Sequence, residues 1–368
     1  MKDLSLYIHI PFCKTICLYC NFVTFAHKNK KIPAYLEALQ KEITTKAKDY
    51  KEYQVVTVYF GGGTPSQLPA ENIEQILSTI KSSFSVKKNL EISIECNPES
   101  IHTEKLIAYK AMGINRISLG IQSFNKKTLL RIARPHDHLT IYRALESIQK
   151  AGIKNFGTDF IMGLPYQTFS TFKKEIETAL SYKPTHISAY FLSYDTKRID
   201  LFIKDCPQEE EQIKMYEWLV KRLKKAGLNH YEVSNYAKPG HECIHNLRYW
   251  QQKEYLGFGI GAHSYIDRTV WENTSDFESY LENPLQPPES LPIDKELDRS
   301  EFILLSLRTA QGIHKKSYQS KYKNFDQLLK KAQTYFESGH LIKTKTGLAP
   351  TDKGFLIIDH ITKELIAA

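Results

Sequence analysis

Apolar side chains recur along the first 200 residues in two alternating rhythms. Short runs of Val, Ile, Leu and Phe have the length and β-branched content of strands, and longer segments with apolar residues three and four apart have the period of amphipathic helices. The pattern predicts strands over Leu4–Ile10, Val55–Phe60, Leu90–Glu95, Arg116–Ile121, Phe156–Ile161 and His186–Leu192. Between them it predicts helices over Lys31–Asp49, Ala70–Ser83, Thr103–Met112, Thr140–Lys150 and Thr171–Ser181. Glycine stops helical runs at Met112-Gly113, Ala151-Gly152 and Ala226-Gly227, as expected of a residue that turns left-handed at little cost. Strand and helix in alternation imply parallel strands with helices outside. Six such units make most of a barrel but not a closed eightfold one, so the expected class is α/β, a partial (βα)6 TIM-like barrel.

Beyond Asp195 the rhythm changes. Gln208–Ala226 is a charged amphipathic helix, and Asn229–Ser264 is rich in aromatics, histidine and glycine. Glu282–Leu291, with its prolines and acidic residues, reads as a linker. Helical runs over Leu297–Arg308 and Asn324–Ser338 precede strand-like pieces at Leu341–Thr344 and Gly347–Thr351. The expected division is a barrel over 1–200, an extension with a candidate ligand segment over 201–285, and a small, mostly helical domain over 286–368.

Composition narrows the function classes. No apolar run approaches the ~18 residues of a membrane span, and the N-terminus is too polar for a signal peptide. A cytoplasmic location is therefore expected. The net charge of +9 fits a solvated basic surface, an anionic ligand or an acidic membrane face. With no arginine-rich or aromatic-interleaved motif, nucleic acid is not an expected partner.

Three of the six cysteines fall in one stretch, Cys13-Lys14-Thr15-Ile16-Cys17-Leu18-Tyr19-Cys20, with the spacing C-x3-C-x2-C. Three thiolates on one loop can each bind one iron of a cubane cluster, leaving the fourth iron open. A structural zinc site would need a second Cys or His pair, which His9 and His27 do not form. Cys96, Cys206 and Cys243 are scattered and read as small buried apolar residues. Gly61-Gly62-Gly63-Thr64-Pro65 follows the second strand, without the Gly-Lys-Ser/Thr of a phosphate loop. Glu95, Gln122 and Asp159 stand at the ends of the third, fourth and fifth strands, the rim where parallel barrels carry their chemistry.

The cysteine spacing, with Tyr19 before the last cysteine, resembles the radical S-adenosylmethionine (SAM) superfamily. The opening Tyr7-Ile8-His9-Ile10-Pro11-Phe12-Cys13 narrows the resemblance to the subgroup of oxygen-independent coproporphyrinogen III oxidases and the related HemW haem chaperones, over nearly the whole chain. The resemblance implies a radical SAM barrel with a [4Fe–4S] cluster on Cys13, Cys17 and Cys20. It also implies SAM contacts from Tyr7, Tyr19, Gly62, Gly63, Thr64, Glu95, Gln122, Arg134 and Asp159. The oxidases carry a further cysteine two residues past the third ligand, where this chain has Phe22, and an N-terminal extension, where only 12 residues precede Cys13.

The run His245-Asn246-Leu247-Arg248-Tyr249-Trp250 resembles the chaperones. There His245 would offer haem iron an imidazole, beside two rings able to cover the macrocycle. His245 and Asn246 also fit a loop pair that only hydrogen-bonds backbone. His241 and His263 are expected to be structural, and Cys206-Pro207 a chance likeness to a haem-regulatory dipeptide.

The expected function is thus a haem chaperone that binds the cluster, SAM and haem and passes haem to acceptor proteins such as respiratory haem proteins. Homodimer formation and a peripheral place at the inner membrane face belong to the same expectation. The runner-up is an oxygen-independent coproporphyrinogen III oxidase, and the third a radical SAM enzyme with another substrate. The loop Ser193–Gln208, which reads Asp195-Thr196-Lys197-Arg198-Ile199-Asp200 near its start, departs from the subgroup's pattern, which leaves that side of the site unassigned.

Overall fold

The computed structural model describes residues 1–193 and 198–367. Six strands lie side by side in chain order, all parallel: β1 (Lys2–Ile10), β2 (Tyr53–Gly62), β3 (Ser85–Cys96), β4 (Arg116–Gln122), β5 (Phe156–Met162) and β6 (His186–Phe191). Their central residues are largely apolar because helices cover one face, although β3 opens with a mostly exposed, polar stretch, Ser85–Asn89. Leu4, Leu6, Ile8 and Ile10 are buried on one face of β1, and Ser5 and His9 on the other.

The covering helices are α1 (Ile32–Lys46), α2 (Ala70–Ser83), α3 (Thr103–Met112), α4 (His138–Lys150) and α5 (Phe169–Ser181). Each buries a stripe of helical spacing, for example Ile73, Ile76, Leu77 and Ile80 in α2. Asp137 caps α4 by accepting from the Thr140 N–H, and Gly113 ends α3 at φ 101°.

The sheet runs on past both edges of this core. The first added edge is reached through α6 (Glu209–Lys225), after which β7 (Asn229–Glu232) and β8 (Asn235–Ala237) form a hairpin whose second strand lies antiparallel on β6. After α7 (Ile244–Trp250), β9 (Tyr255–Phe258) lies parallel to β1. β10 (His263–Ile266), β11 (Thr269–Glu272) and β12 (Ser290–Pro292) continue antiparallel from it. Among the described residues the sheet has twelve strands and is not closed. The stretch read as a linker thus ends in an edge strand.

From α8 (Lys295–Leu307) onward the chain has its own apolar cluster, including Ile303, Leu307, Tyr318, Phe325, Leu328, Ile361 and Leu365. The single helix expected over Asn324–Ser338 is two, Phe325–Lys331 and Gln333–Glu337, broken at Ala332. The terminal strand pair is followed by helices Asp352–Phe355 and Ile358–Ile366. Ile358, Ile361 and Leu365 give the last of these a helical apolar period that the sequence reading passed over. Among the described residues no helix is long and apolar enough to cross a membrane.

One buried carboxylate joins α1 to the added strands. Glu42 accepts from the Gly259 N–H (2.9 Å), the Tyr280 hydroxyl (2.7 Å), Asn273 Nδ2 (2.8 Å) and Lys46 Nζ (2.6 Å). Residues 259–280 are thereby pinned beside the C-terminal end of β1, where the site lies.

Candidate functional site

The cysteines stand on a loop closed at its base by the parallel pair Phe12–Cys13 and Phe25–Ala26. Leu18 N–H donates to Ile132 O (3.1 Å), and Leu18 and Tyr19 pack on Ile132, Ile161, Leu164, Leu192 and Phe202. The glycine turn after β2 is laced to the same loop, with Gly63 N–H on Ile10 O and Thr64 N–H on Phe12 O, both 2.9 Å. A Cβ on Gly63 would stand 2.8 Å from the Pro11 carbonyl carbon and 3.0 Å from Cys13 Sγ, so only glycine fits this close approach.

A chain of polar contacts runs from one thiol to another. Cys13 Sγ is 3.4 Å from Thr64 Oγ1, which accepts from Asn97 Nδ2 (3.0 Å). Asn97 Oδ1 in turn accepts from Arg134 Nη2 (2.9 Å), which also reaches Gly120 O (2.5 Å). Arg134 Nη1 lies 3.5 Å from Cys17 Sγ and 3.3 Å from the Tyr19 hydroxyl, while its buried Nε has no partner. The sequence reading missed Asn97. Its signal was the one that picked out Glu95, a polar residue at the C-terminal end of a barrel strand, but Asn before Pro reads as a turn.

Burial pushes the Cys13 thiol up to about 11 and raises that of Cys20 as well. In such a site the thiolates form as metal binds and the protons leave. Among the described residues no three His, Cys, Asp or Glu side chains converge on a single ion. The cysteine spacing suits a cubane, in which each thiolate takes a different iron. The polar cover on Cys13 and Cys17 fits the same group, because hydrogen bonds to the sulfurs help set a cluster's potential. Asn97→Leu is expected to lower the reduction potential of the reconstituted cluster, read by potentiometric titration, because Arg134 and Thr64 lose the amide that aims them.

On the neighbouring strands, Glu95 accepts from the Tyr59 hydroxyl (2.8 Å) and the Gly62 N–H (3.3 Å), and burial pushes its carboxyl up to about 7. Asp159 is also raised by burial, although Ser118 Oγ donates to both its oxygens (3.0 and 2.9 Å). The two carboxyls line a small polar chamber of about 50 Å³ with Arg116 and His186. Gln122 sits at φ 68°, rare for a residue with a side chain. The turn after it is held by Glu175, which accepts from the Ser123 hydroxyl, Phe124 N–H (2.8 Å) and Asn125 N–H (3.1 Å). Tyr7 completes the rim, with its hydroxyl 3.0 Å from His9 Nδ1. Tyr7, Gly62, Glu95, Gln122 and Asp159 stand on successive strands in their C-terminal halves, and Tyr19 and Arg134 lie beside the cysteine loop.

A ligand with a cationic amino group would favour the ionised form of Glu95. SAM affinity is then expected to fall as the pH drops below about 7, where the free carboxyl takes up its proton, and Glu95→Gln is expected to flatten that slope. Calorimetric titration across that pH checks both.

His245, to which the resemblance gave haem iron, is placed elsewhere. It is 1% exposed, over the Ser5–Thr57–Glu91 row of the sheet, well below the strand ends. Thr57 gives its hydroxyl hydrogen to Ser5, so His245 Nδ1–H donates to Thr57 (2.9 Å) and Nε2 accepts from the Tyr249 hydroxyl (2.8 Å). No lone pair remains for iron. Its ring stacks on Tyr59 (4.9 Å between centroids), and burial lowers its pKa to about 3. Arg248, on the next turn of α7, binds Ser5 Oγ (2.5 Å) and Asp3 O (3.0 Å). The run plugs the sheet: Asn246 lines the small polar chamber, and Tyr249 reaches a larger cavity.

That cavity, of about 730 Å³, opens beside the cluster loop. Phe22 and Val23 form one side, Tyr7, Tyr249, Tyr255 and Tyr265 the floor, and Leu304 and Leu305 of α8 the far wall. Phe22, in the position where the oxidases carry their additional cysteine, is 72% exposed.

Comparison with known proteins agrees with this geometry. A family model described as the radical SAM superfamily matches residues 7–179. The haem chaperone HemW of Lactococcus lactis subsp. lactis (strain IL1403) is 32% identical over 376 residues, covering 99% of this chain and 98% of its own. That of Bacillus subtilis (strain 168) is 33% identical over 330 residues, covering 86% of each. The chain belongs to the HemW family of radical SAM proteins. Among solved structures, coproporphyrinogen III oxidase (HemN) from Escherichia coli superposes with a TM-score of 0.87, covering 100% of this chain and 90% of its own. At 23% identity that likeness speaks for the fold. The HemW-family fold is thus a large, mostly parallel sheet with a helical C-terminal portion, as the sequence led one to expect.

Proposed function

We propose that this HemW-family chain is a haem chaperone, which binds haem beside a [4Fe–4S] cluster and SAM and hands it to acceptor proteins. The observation that carries the proposal is the aromatic cavity against the cluster loop. Its volume of about 730 Å³ lies within the range of small-molecule sites, roughly 300–1,000 Å³. Four tyrosine rings and Phe22 offer a flat apolar macrocycle more contact than a small polar substrate would use. The curated relatives named above are haem chaperones.

Cys13, Cys17 and Cys20 would hold the cluster. Tyr7, Tyr19, Gly62, Gly63, Thr64, Glu95, Gln122, Arg134 and Asp159 would contact SAM. The cluster's open iron, when present, supplies a chelation point for the amino and carboxylate groups of SAM. The chain's own part is to lace the loop to the glycine turn, to cover two thiolates with Thr64 and Arg134, and to hold a carboxyl at the rim. The net charge of +9 suits haem propionates and an anionic membrane face alike.

The test is anaerobic reconstitution of the cluster, then incubation with SAM, a reductant and coproporphyrinogen III beside an active oxidase, followed by haem titration of the same preparation. A chaperone forms no protoporphyrinogen and binds haem stoichiometrically. Catalytic product formation would instead make the chain an oxidase.

A further inference from the structure

Since His245 cannot reach iron as placed, the cavity needs another ligand. We infer that His263 is the axial ligand through which this cavity holds the iron of a metalloporphyrin, with Glu272 orienting its ring. The inference rests on the haem reading above and names the atom that would make it specific for iron.

His263 opens β10 and lines the cavity with its side chain in solvent. Directly across the antiparallel pair stands Glu272, with Nε2 and Oε2 3.4 Å apart. A carboxylate this close favours the tautomer that keeps the hydrogen on Nε2. Nδ1, which has no hydrogen-bond partner among the described residues, keeps its lone pair. A carboxylate beside one nitrogen of an imidazole, with the other nitrogen free, is a common arrangement in metal ligands, where it orients the ring.

The other histidine on this cavity is not available. His9 Nε2 lies 2.8 Å from Val23 O, a carbonyl that can only accept, so Nε2–H donates there and Nδ1 accepts from the Tyr7 hydroxyl. Lys321 donates to the lining residue Gln252 (3.3 Å) and is placed to pair with a propionate directed to solvent.

The test titrates the cluster-reconstituted chain with haemin and, separately, with metal-free protoporphyrin IX. The aromatic cavity should bind both, and the iron contact only the first. For His263→Ala, haem affinity is expected to fall at least about tenfold, with loss of the imidazole-ligated spectrum, while metal-free porphyrin binds as before. Free imidazole should restore the spectrum. Glu272→Gln is expected to give a smaller loss in the same direction. Equal metal-free affinity in wild type and variant also establishes that the variant is folded. Unchanged haem affinity and spectrum in His263→Ala would overturn the inference while leaving the haem reading intact. Failure of the wild-type chain to bind either porphyrin would overturn both.

Discussion

Cys17→Ala is expected to abolish the cluster, taking reconstituted iron from about four per chain to near none. Cys17 is 8% exposed, set beside the Arg134 guanidinium, and its removal leaves two thiolates for a cubane that needs three from the protein. Loop packing does not depend on the sulfur, because Leu18 and Tyr19 anchor the loop on Ile132 and Phe202. The variant should therefore fold and fail only in metal content. Cys243→Ala is the control. That thiol is buried, 3.8 Å from Glu91, and lies on a different part of the fold from the cysteine loop. Iron and sulfide analysis with visible absorbance, after anaerobic reconstitution, separates the two. Full iron content in Cys17→Ala would remove the loop from the cluster.

Glu42→Leu is expected to cost about 3–5 kcal/mol of stability, a large part of the ~5–15 kcal/mol that holds a domain folded. The carboxylate has no exposure and four donors, from Gly259, Tyr280, Asn273 and Lys46. A leucine removes the acceptor from all four, and the Gly259 N–H and the Tyr280 hydroxyl, buried with it, are left the worst placed, since Lys46 keeps Asn273 Oδ1 (3.2 Å) and some exposure. Glu42→Gln should lose less, since its amide oxygen still accepts while its NH2 faces donors. The loss has a second reading at the site, because Gly259–Ala262 connects β9 to β10 and carries His263. Urea denaturation gives the first quantity, and porphyrin affinity below the transition gives the second. A change under about 1 kcal/mol in Glu42→Leu would mean that the four bonds do not act together.

The cysteine loop and the rim were legible in the sequence because each rests on local spacing. C-x3-C-x2-C fixes three sulfurs on one turn, and a polar residue after a barrel strand must stand at the strand's C-terminal end. The six parallel strands were legible for a similar reason, since a β-branched run between two helical periods has few other places to go. What escaped was set by distant partners. Glu42 looks like any helix carboxylate until strands more than two hundred residues later cover it. The cavity draws on β1, the cluster loop, β10, β11 and α8, and no window of sequence contains it.

His245 shows the difference between a motif and its orientation. The six-residue run pointed to the right family, yet on a helix packed over Ser5 and Thr57 its histidine turns into the sheet. His263, read as structural, lines the cavity, exposed to solvent. Residues 194–197, within the stretch that departs from the subgroup's pattern, lie outside the described residues.

The most direct test is haem transfer. The cluster-reconstituted, SAM-supplied chain would be loaded with one equivalent of haem, freed of excess, and mixed with a haem-free haem protein whose Soret band reports uptake. A chaperone transfers its haem to the acceptor and leaves the mixture as the apo form with its cluster intact. A chain that takes up no haem, or retains it in the presence of excess acceptor, would contradict the proposed role.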